Sequence, residues 1–159
     1  MPNVKEKQIM YNDDPVISQM NDEDVPYVYE IEKDTFSDLW SEGTYKNFKD
    51  GKGQSYYVAR LNGSVAAYCV TMQVLDECEI LKIAVGKQYR KNGIGEKLLR
   101  TVMKKAGENG ARLFYLEVRE SNTPAINLYT KLGFTESGTR EGYYKQPVEN
   151  AVVMSCIKN

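Results

Sequence analysis

The residues best suited to do chemistry stand between Glu79 and Glu96, in the run EILKIAVGKQYRKNGIGE. An apolar stretch rich in β-branched residues stops at Val85, and a basic loop carrying Gly93 and Gly95 then opens a helix-like segment. Such a junction gathers unpaired backbone N–H groups and the positive end of a helix dipole in one small space. That suits an anion, above all a phosphate or pyrophosphate. A merely tight turn would carry the same two glycines, and loop chemistry alone leaves both readings open. No Gly-Lys-Ser/Thr follows, so the loop is not a Walker A motif, and the third glycine of the dinucleotide fingerprint is missing. The chain has no histidine, which excludes Ser-His and Cys-His catalytic arrangements outright.

The neighbouring elements must hold that loop in place. Residues 79–85 read as a strand, and Ile94, Leu98, Leu99, Val102, Met103 and Ala106 recur at helical spacing until Gly107 and Gly110 close the segment. Residues 112–119 return to strand. Two strands joined by a helix of this length form a βαβ unit, so they are expected to be parallel neighbours with a right-handed crossover. Upstream, residues 15–20 read as a first strand, and Asn21 or Asp22 as the N-cap of a helix ending near Thr35. Val25, Val28, Ile31 and Glu32 mark that helix's inner face. Ser41 with Thr44 opens a short second helix that stops at Gly51. Residues 55–61 and 64–72 flank Asn62-Gly63, a strong hairpin signal. Downstream, SNTP starts a helix whose stripe is Ala125, Leu128, Tyr129 and Leu132, ended by Gly133. Residues 134–137 and 150–157 read as a final antiparallel pair separated by the polar, aromatic loop TREGYYKQPVEN. The expected fold is mixed α/β, in the order β-α-α-β-β-β-α-β-α-β-β. Its sheet is mostly antiparallel with a central parallel βαβ unit.

At 159 residues the chain can bury one good core, and 42% hydrophobic with 27% charged residues is ordinary for a globular protein. Residues 1–14 read as a polar extension and 15–159 as one domain. A net charge of −1 gives no footprint for nucleic acid. Basic residues do gather around the loop (Lys82, Lys87, Arg90, Lys91, Lys97, Arg100, Lys104, Lys105), although a solvated helix face would look the same. The three scattered cysteines, Cys69, Cys78 and Cys156, have no metal-site spacing and no disulfide pattern, which fits a reducing cytoplasm. No apolar run approaches a membrane span, and the N-terminus lacks a signal-peptide core. The expectation is therefore a cytoplasmic protein without metal, membrane or nucleic-acid partner.

Arg90-Lys91-Asn92-Gly93-Ile94-Gly95 resembles the R/Q-x-x-G-x-G/A signature of the Gcn5-related N-acetyltransferase (GNAT) superfamily, in which the loop cradles the pyrophosphate of acetyl-coenzyme A. LEVRESNTPAINLYTKLGF resembles that superfamily's second landmark and is closest to the ribosomal-protein-alanine N-acetyltransferase branch. FSDLWSE and GTREGYYKQPVENAVVM extend the likeness from Pro15 to Ile157. The resemblance implies pantetheine contacts from the backbone of Ile83, Ala84 and Val85, with the Val85 N–H as oxyanion donor. It implies pyrophosphate contacts from the N–H groups of Lys91, Asn92, Gly93, Ile94, Gly95 and Glu96, with Arg90 nearby and Asn122 near the thiol.

Acetyl transfer from a thioester to an amine needs a base, an oxyanion donor and an acid for the departing thiolate, and needs no metal. Glu117 is the candidate base. It shares a strand face with Leu113 and Tyr115, and apolar neighbours would move its pKa toward the working pH. Residue type alone favours the alternative, an edge-exposed glutamate paired with Arg119 or a lysine. Tyr129 is the candidate acid, where a core tyrosine is the plain alternative. The resemblance places the family branch's base and acid at these two positions. With both strand and helix ending near it, carboxylate and hydroxyl are expected to face one cleft. The implied acceptor is the α-amine of a protein N-terminus. A small amine is the rival, favoured by the acidic residues Asp22, Glu23, Asp24, Glu30 and Asp34. A non-catalytic acyl-coenzyme A-binding module is a third reading. Acceptor contacts would come from Phe36–Trp40 and Tyr143–Tyr144, aromatics that plain packing would also explain. The chain departs from the branch at three acceptor-side places: Leu39 for proline, Gly142 for asparagine before Tyr143-Tyr144, and Asn150 for aspartate between Glu149 and Ala151.

Overall fold

Apolar residues at strand spacing lay down three antiparallel strands in the first half of the chain, β2 (Gln54–Leu61), β3 (Ser64–Val74) and β4 (Glu77–Val85). The β2–β3 turn has Asn62 and Gly63 at φ values of 50° and 82°, the mirror-image turn that matches strand twist and that Asn-Gly tolerates. The computed structural model describes residues 14–158. The extension expected at residues 1–14 therefore lies, apart from Asp14, outside the described residues. β1 (Val16–Gln19) pairs with β2. A capping box between Asn21 and Asp24 starts a short 3-10 turn that leads into α1 (Val25–Thr35), which buries Val25, Val28, Ile31 and Glu32. Ser41 caps α2 (Glu42–Lys46).

After β4 comes α3 (Ile94–Glu108), which buries the same six apolar residues that its periodicity singles out. β5 (Leu113–Arg119) follows, parallel to β4. α4 (Thr123–Lys131) then leads to β6 (Thr135–Lys145) and β7 (Val148–Ile157). The sheet runs β1-β2-β3-β4-β5-β7-β6. Its two faces carry separate cores, one against α3 and α4, the other against α1 and α2. Among the described residues, no helix is long and apolar enough to cross a membrane.

One expectation is corrected. Most of TREGYYKQPVEN is strand, not loop: β6 runs to Lys145, β7 starts at Val148, and only Gln146 and Pro147 turn between them. β6 is an edge strand exposed along most of its length, so it shows no apolar alternation. Its register against β7 slips between Glu136 and Gly138 and again between Arg140 and Tyr144, and Gly142 there has a φ of 57°.

The parallel pairing of β4 with β5 is short. It covers Glu77, Cys78 and Glu79 opposite Leu113, Phe114 and Tyr115. Beyond these residues β4 stays on β3 as far as Val85, while β5 stays on β7 as far as Arg119. Just past the last pair, Leu81 is an extra residue between Ile80, opposite Thr71, and Lys82, opposite Val70. Such a bulge bends its strand, and here β4 turns away from β5 to leave a wedge open between them.

Candidate active site

The glycine loop closes on the mouth of this wedge. Lys91 and Gly93 have φ values of 64° and 73°, a left-handed geometry that leaves Gly93 as an N-cap without a side-chain acceptor. The first intrahelical bond runs from the Lys97 N–H to the Gly93 carbonyl. The N–H groups of Ile94, Gly95 and Glu96 thus have no partner inside the helix and point outward along its axis. Gly95 lets the start of α3 press against β4, since a Cβ there would sit 3.3 Å from Val85 Cγ2. The side chains brace the loop instead of filling it. Asn92 Nδ2 donates to the carbonyls of Tyr89 and Arg90 at 3.2 and 3.1 Å. Arg90 folds back, Nε donating to the Val85 carbonyl at 3.0 Å and Nη2 to Thr35 Oγ1 at 3.3 Å. The Glu96 carboxylate is taken up by Lys131 and then Arg100, whose hydrogen bonds hold its pKa below the usual value.

Along the wedge the backbone alternates. The Gly86 N–H donates to the Ala66 carbonyl at 2.8 Å, so by strand alternation Ala84 also faces β3, while Ile83 and Val85 turn their N–H groups toward the open side. Ala84, expected to contact the cofactor through its backbone, is thereby committed to the sheet. Asn122 is the N-cap of α4, its Oδ1 accepting the Ala125 N–H at 3.3 Å.

Glu117 lies on the β5 face shared with Leu113 and Tyr115, but its surroundings are not the apolar ones expected. Arg140 Nε sits 2.7 Å from Glu117 Oε1, Tyr143 hydrogen-bonds to the same carboxylate, and Glu79 stands close by. The chain folds these over Glu117 from β4 and β6, strands that periodicity within β5 does not report. Burial, and then the charge of Glu117, hold the Glu79 carboxyl above the ordinary carboxylate range. The Glu117 hydrogen bond, and then burial, raise the Tyr143 hydroxyl.

Tyr129 lies in the core against α3 and α4, with Leu116, Val118 and Phe134, so the structure sets it and Glu117 on opposite faces of β5. It is 6% exposed, and burial above all raises its hydroxyl pKa, which keeps the proton on it. Carboxylate and hydroxyl do not meet directly, and the parting of β4 from β5 lies beside both. Tyr144 is near enough to Glu117 and Tyr129 to feel or exert charge on each, and burial first pushes its own pKa up to about 12.

Where the sequence places acceptor contacts as an expectation, Ser37 Oγ donates to the Gln146 carbonyl at 2.5 Å, so the α1–α2 loop touches the β6–β7 turn. Two of the sequence departures meet here, the Gly142 N–H donating to Asn150 Oδ1 at 2.9 Å. Of the acidic residues that would favour a small cation, Asp22 pairs with Lys49, Asp24 with Arg60 and Glu30 with Lys33. Sequence reasoning missed a buried network beneath the loop. Glu32 is fully buried and accepts from Lys82 Nζ at 2.6 Å, the Trp40 N–H at 3.0 Å and the hydroxyls of Tyr45 and Tyr68. Lys82 Nζ also stands 4.1 Å from the Phe36 ring centroid and 5.1 Å from that of Trp40. The available signal was a glutamate on the apolar stripe of α1 and a lysine inside the apolar run of β4.

Comparison with known proteins agrees with this geometry. The model of the acetyltransferase (GNAT) family matches residues 25–134. The chain is 37% identical over 143 residues to the ribosomal protein bS18-alanine N-acetyltransferase of Escherichia coli K12, covering 87% of this chain and 95% of that one. It is 38% identical over 146 residues to the enzyme of that name from Haemophilus influenzae, covering 89% and 97%. Among solved structures, that of the E. coli ribosomal-protein-S18-alanine N-acetyltransferase superposes with a TM-score of 0.82 at 34% identity, over 90% of this chain and 93% of that one.

Proposed function

Since this chain belongs to the acetyltransferase (GNAT) family, we propose that it transfers the acetyl group of acetyl-coenzyme A to the α-amine of a protein N-terminus, by direct attack. The observation that carries the reading is the wedge between β4 and β5. The reading is supported by the outward N–H groups of Ile83 and Val85 where the strands part, by Glu117 and Tyr129 on the two faces of the adjoining β5, and by the glycine loop that follows β4. Likeness to relatives named for a ribosomal-protein alanine, over nearly the whole chain, supports the acceptor.

Each group has a task that its surroundings suit. Acetyl-coenzyme A supplies the acyl group in an activated thioester. The N–H groups of Ile94–Glu96 hold the pyrophosphate, with Gly93 setting their direction. The Val85 N–H receives the charge that develops on the carbonyl oxygen. An α-amine has a pKa near ~8, so Glu117 need only complete a deprotonation already partly made at neutral pH. Arg140 lies over Glu117 before the acceptor arrives, and the incoming ammonium competes for the same oxygens. Tyr129, kept protonated by burial, gives its proton to the departing thiolate.

The test is to incubate the protein with acetyl-coenzyme A and a peptide beginning with alanine, following thiol release and locating the acetyl group by mass spectrometry. Acetylation confined to the α-amine is the expected result. Acetylation of a polyamine or aminoglycoside panel with the peptide untouched would reassign the acceptor, and no thiol release with any amine would leave a binding module.

A further inference from the structure

The acceptor side is built from two segments far apart in sequence, the α1–α2 loop and the β6–β7 turn, and one side chain joins them. Arg119 ends β5, two residues after Glu117, and is 20% exposed. Its Nη2 lies 2.9 Å from Asp38 Oδ2 and 3.1 Å from Ser37 Oγ on the loop, and 3.1 Å from the Gln146 carbonyl on the turn. Its Nη1 donates to the Pro147 carbonyl at 3.0 Å and to Glu149 Oε2 at 3.2 Å. The guanidinium carbon stands 4.3 Å from the Tyr144 ring centroid. Glu149 is itself fixed by the Ser121 N–H at 2.6 Å.

From this convergence we propose that Arg119 is a positioning residue, a clamp that holds the loop and the turn as one rim over the end of β5, and thereby sets the affinity for the acceptor. The planar fork is what the task demands. It reaches two segments at once while stacking on an aromatic ring, and a lysine ammonium on a flexible stem cannot serve all three at fixed angles. No core cluster includes Arg119, and its partners lie in the loop, in the turn and at the strand ends beside the turn, Tyr144 on β6 and Glu149 on β7. Its loss therefore frees the rim without touching the glycine loop. The acceptor consequence rests on the function proposed above, whereas the clamp itself does not.

Hydrogen exchange and kinetics test the two parts separately. In Arg119→Met, exchange should rise together in residues 36–41 and 142–148 and stay unchanged at the start of α3. The peptide KM should rise ten-fold or more, with kcat and the coenzyme A dissociation constant within two-fold of wild type. Arg119→Lys should restore neither. Asp38→Asn, which removes only the loop arm, should loosen residues 36–41 alone and raise KM less. Exchange rising in one segment or neither in Arg119→Met, an unchanged KM, or full rescue by lysine would overturn the clamp. If the wild-type protein acetylates only a small amine, the acceptor assignment fails instead. The exchange pattern then still decides the clamp, and the KM comparison is made with that amine.

Discussion

Tyr129 and Glu149 show how surroundings assign a residue its work. Burial keeps the Tyr129 proton in place across the neutral range, which equips it as an acid and makes it a poor base. Tyr129→Phe removes one hydroxyl from a packed site, so turnover should fall by about 10² or more while coenzyme A affinity changes little. Steady-state kinetics beside calorimetric titration check this, and equal turnover would remove Tyr129 from the mechanism. Glu149, half-buried, is a case of the opposite sign. Its hydrogen bonds to Ser121, and then Arg119, depress its folded-state pKa below the ordinary value. A carboxylate of this kind adds stability that is fully present above the unfolded pKa of about 4.3 and is lost as pH falls through the lower folded value. Thermal melts of wild type and Glu149→Gln should accordingly differ at neutral pH and converge in acid. A gap that widened on acidification would contradict the assignment.

At the scale of elements, the junction of β4 and α3 does the binding through its backbone. Gly93 is left-handed with open space where a Cβ would go, so Gly93→Ala meets conformational strain and no clash. That strain should cost about 1–2 kcal/mol in urea unfolding and weaken acetyl-coenzyme A binding, since the N–H groups of α3 follow the turn. Gly93→Asn should recover much of both, because asparagine tolerates this region. Periodicity made α3 legible: six apolar positions at helical spacing are the six that the structure buries. β6 was not legible. An exposed edge strand has no inner face to leave a pattern, and only its hydrogen bonds to β7 define it.

For the whole molecule, the two cores meet at the sheet, and the ion pair of Glu32 with Lys82 ties α1 to β4 beneath the α1–α2 loop. Removing the cation alone strands a fully buried carboxylate, which costs about 3–5 kcal/mol. Lys82→Met should therefore lower the melting temperature by roughly 10 °C, at about 2–4 °C per kcal/mol for a chain of this size. The double variant Glu32→Gln/Lys82→Met should regain most of that loss in scanning calorimetry. A single variant that melted with the wild type would show the pair to be dispensable.

What the chain's own order of residues determined is local and repetitive: the Asn62-Gly63 hairpin, the inner faces of α1 and α3, the parallel βαβ unit and the glycine loop that identifies the family. Those features rest on neighbours a few residues apart, where spacing alone dictates which groups share a face. Tertiary structure decided the rest. It put Glu117 under Arg140 and Tyr143, set Tyr129 on the opposite face of β5, turned Ala84 into the sheet and closed the rim through Arg119 and Asp38, which stand 81 positions apart. No periodicity can announce such contacts. They form because a bulge at Leu81 parts two strands and the folded sheet then carries distant segments to the opening.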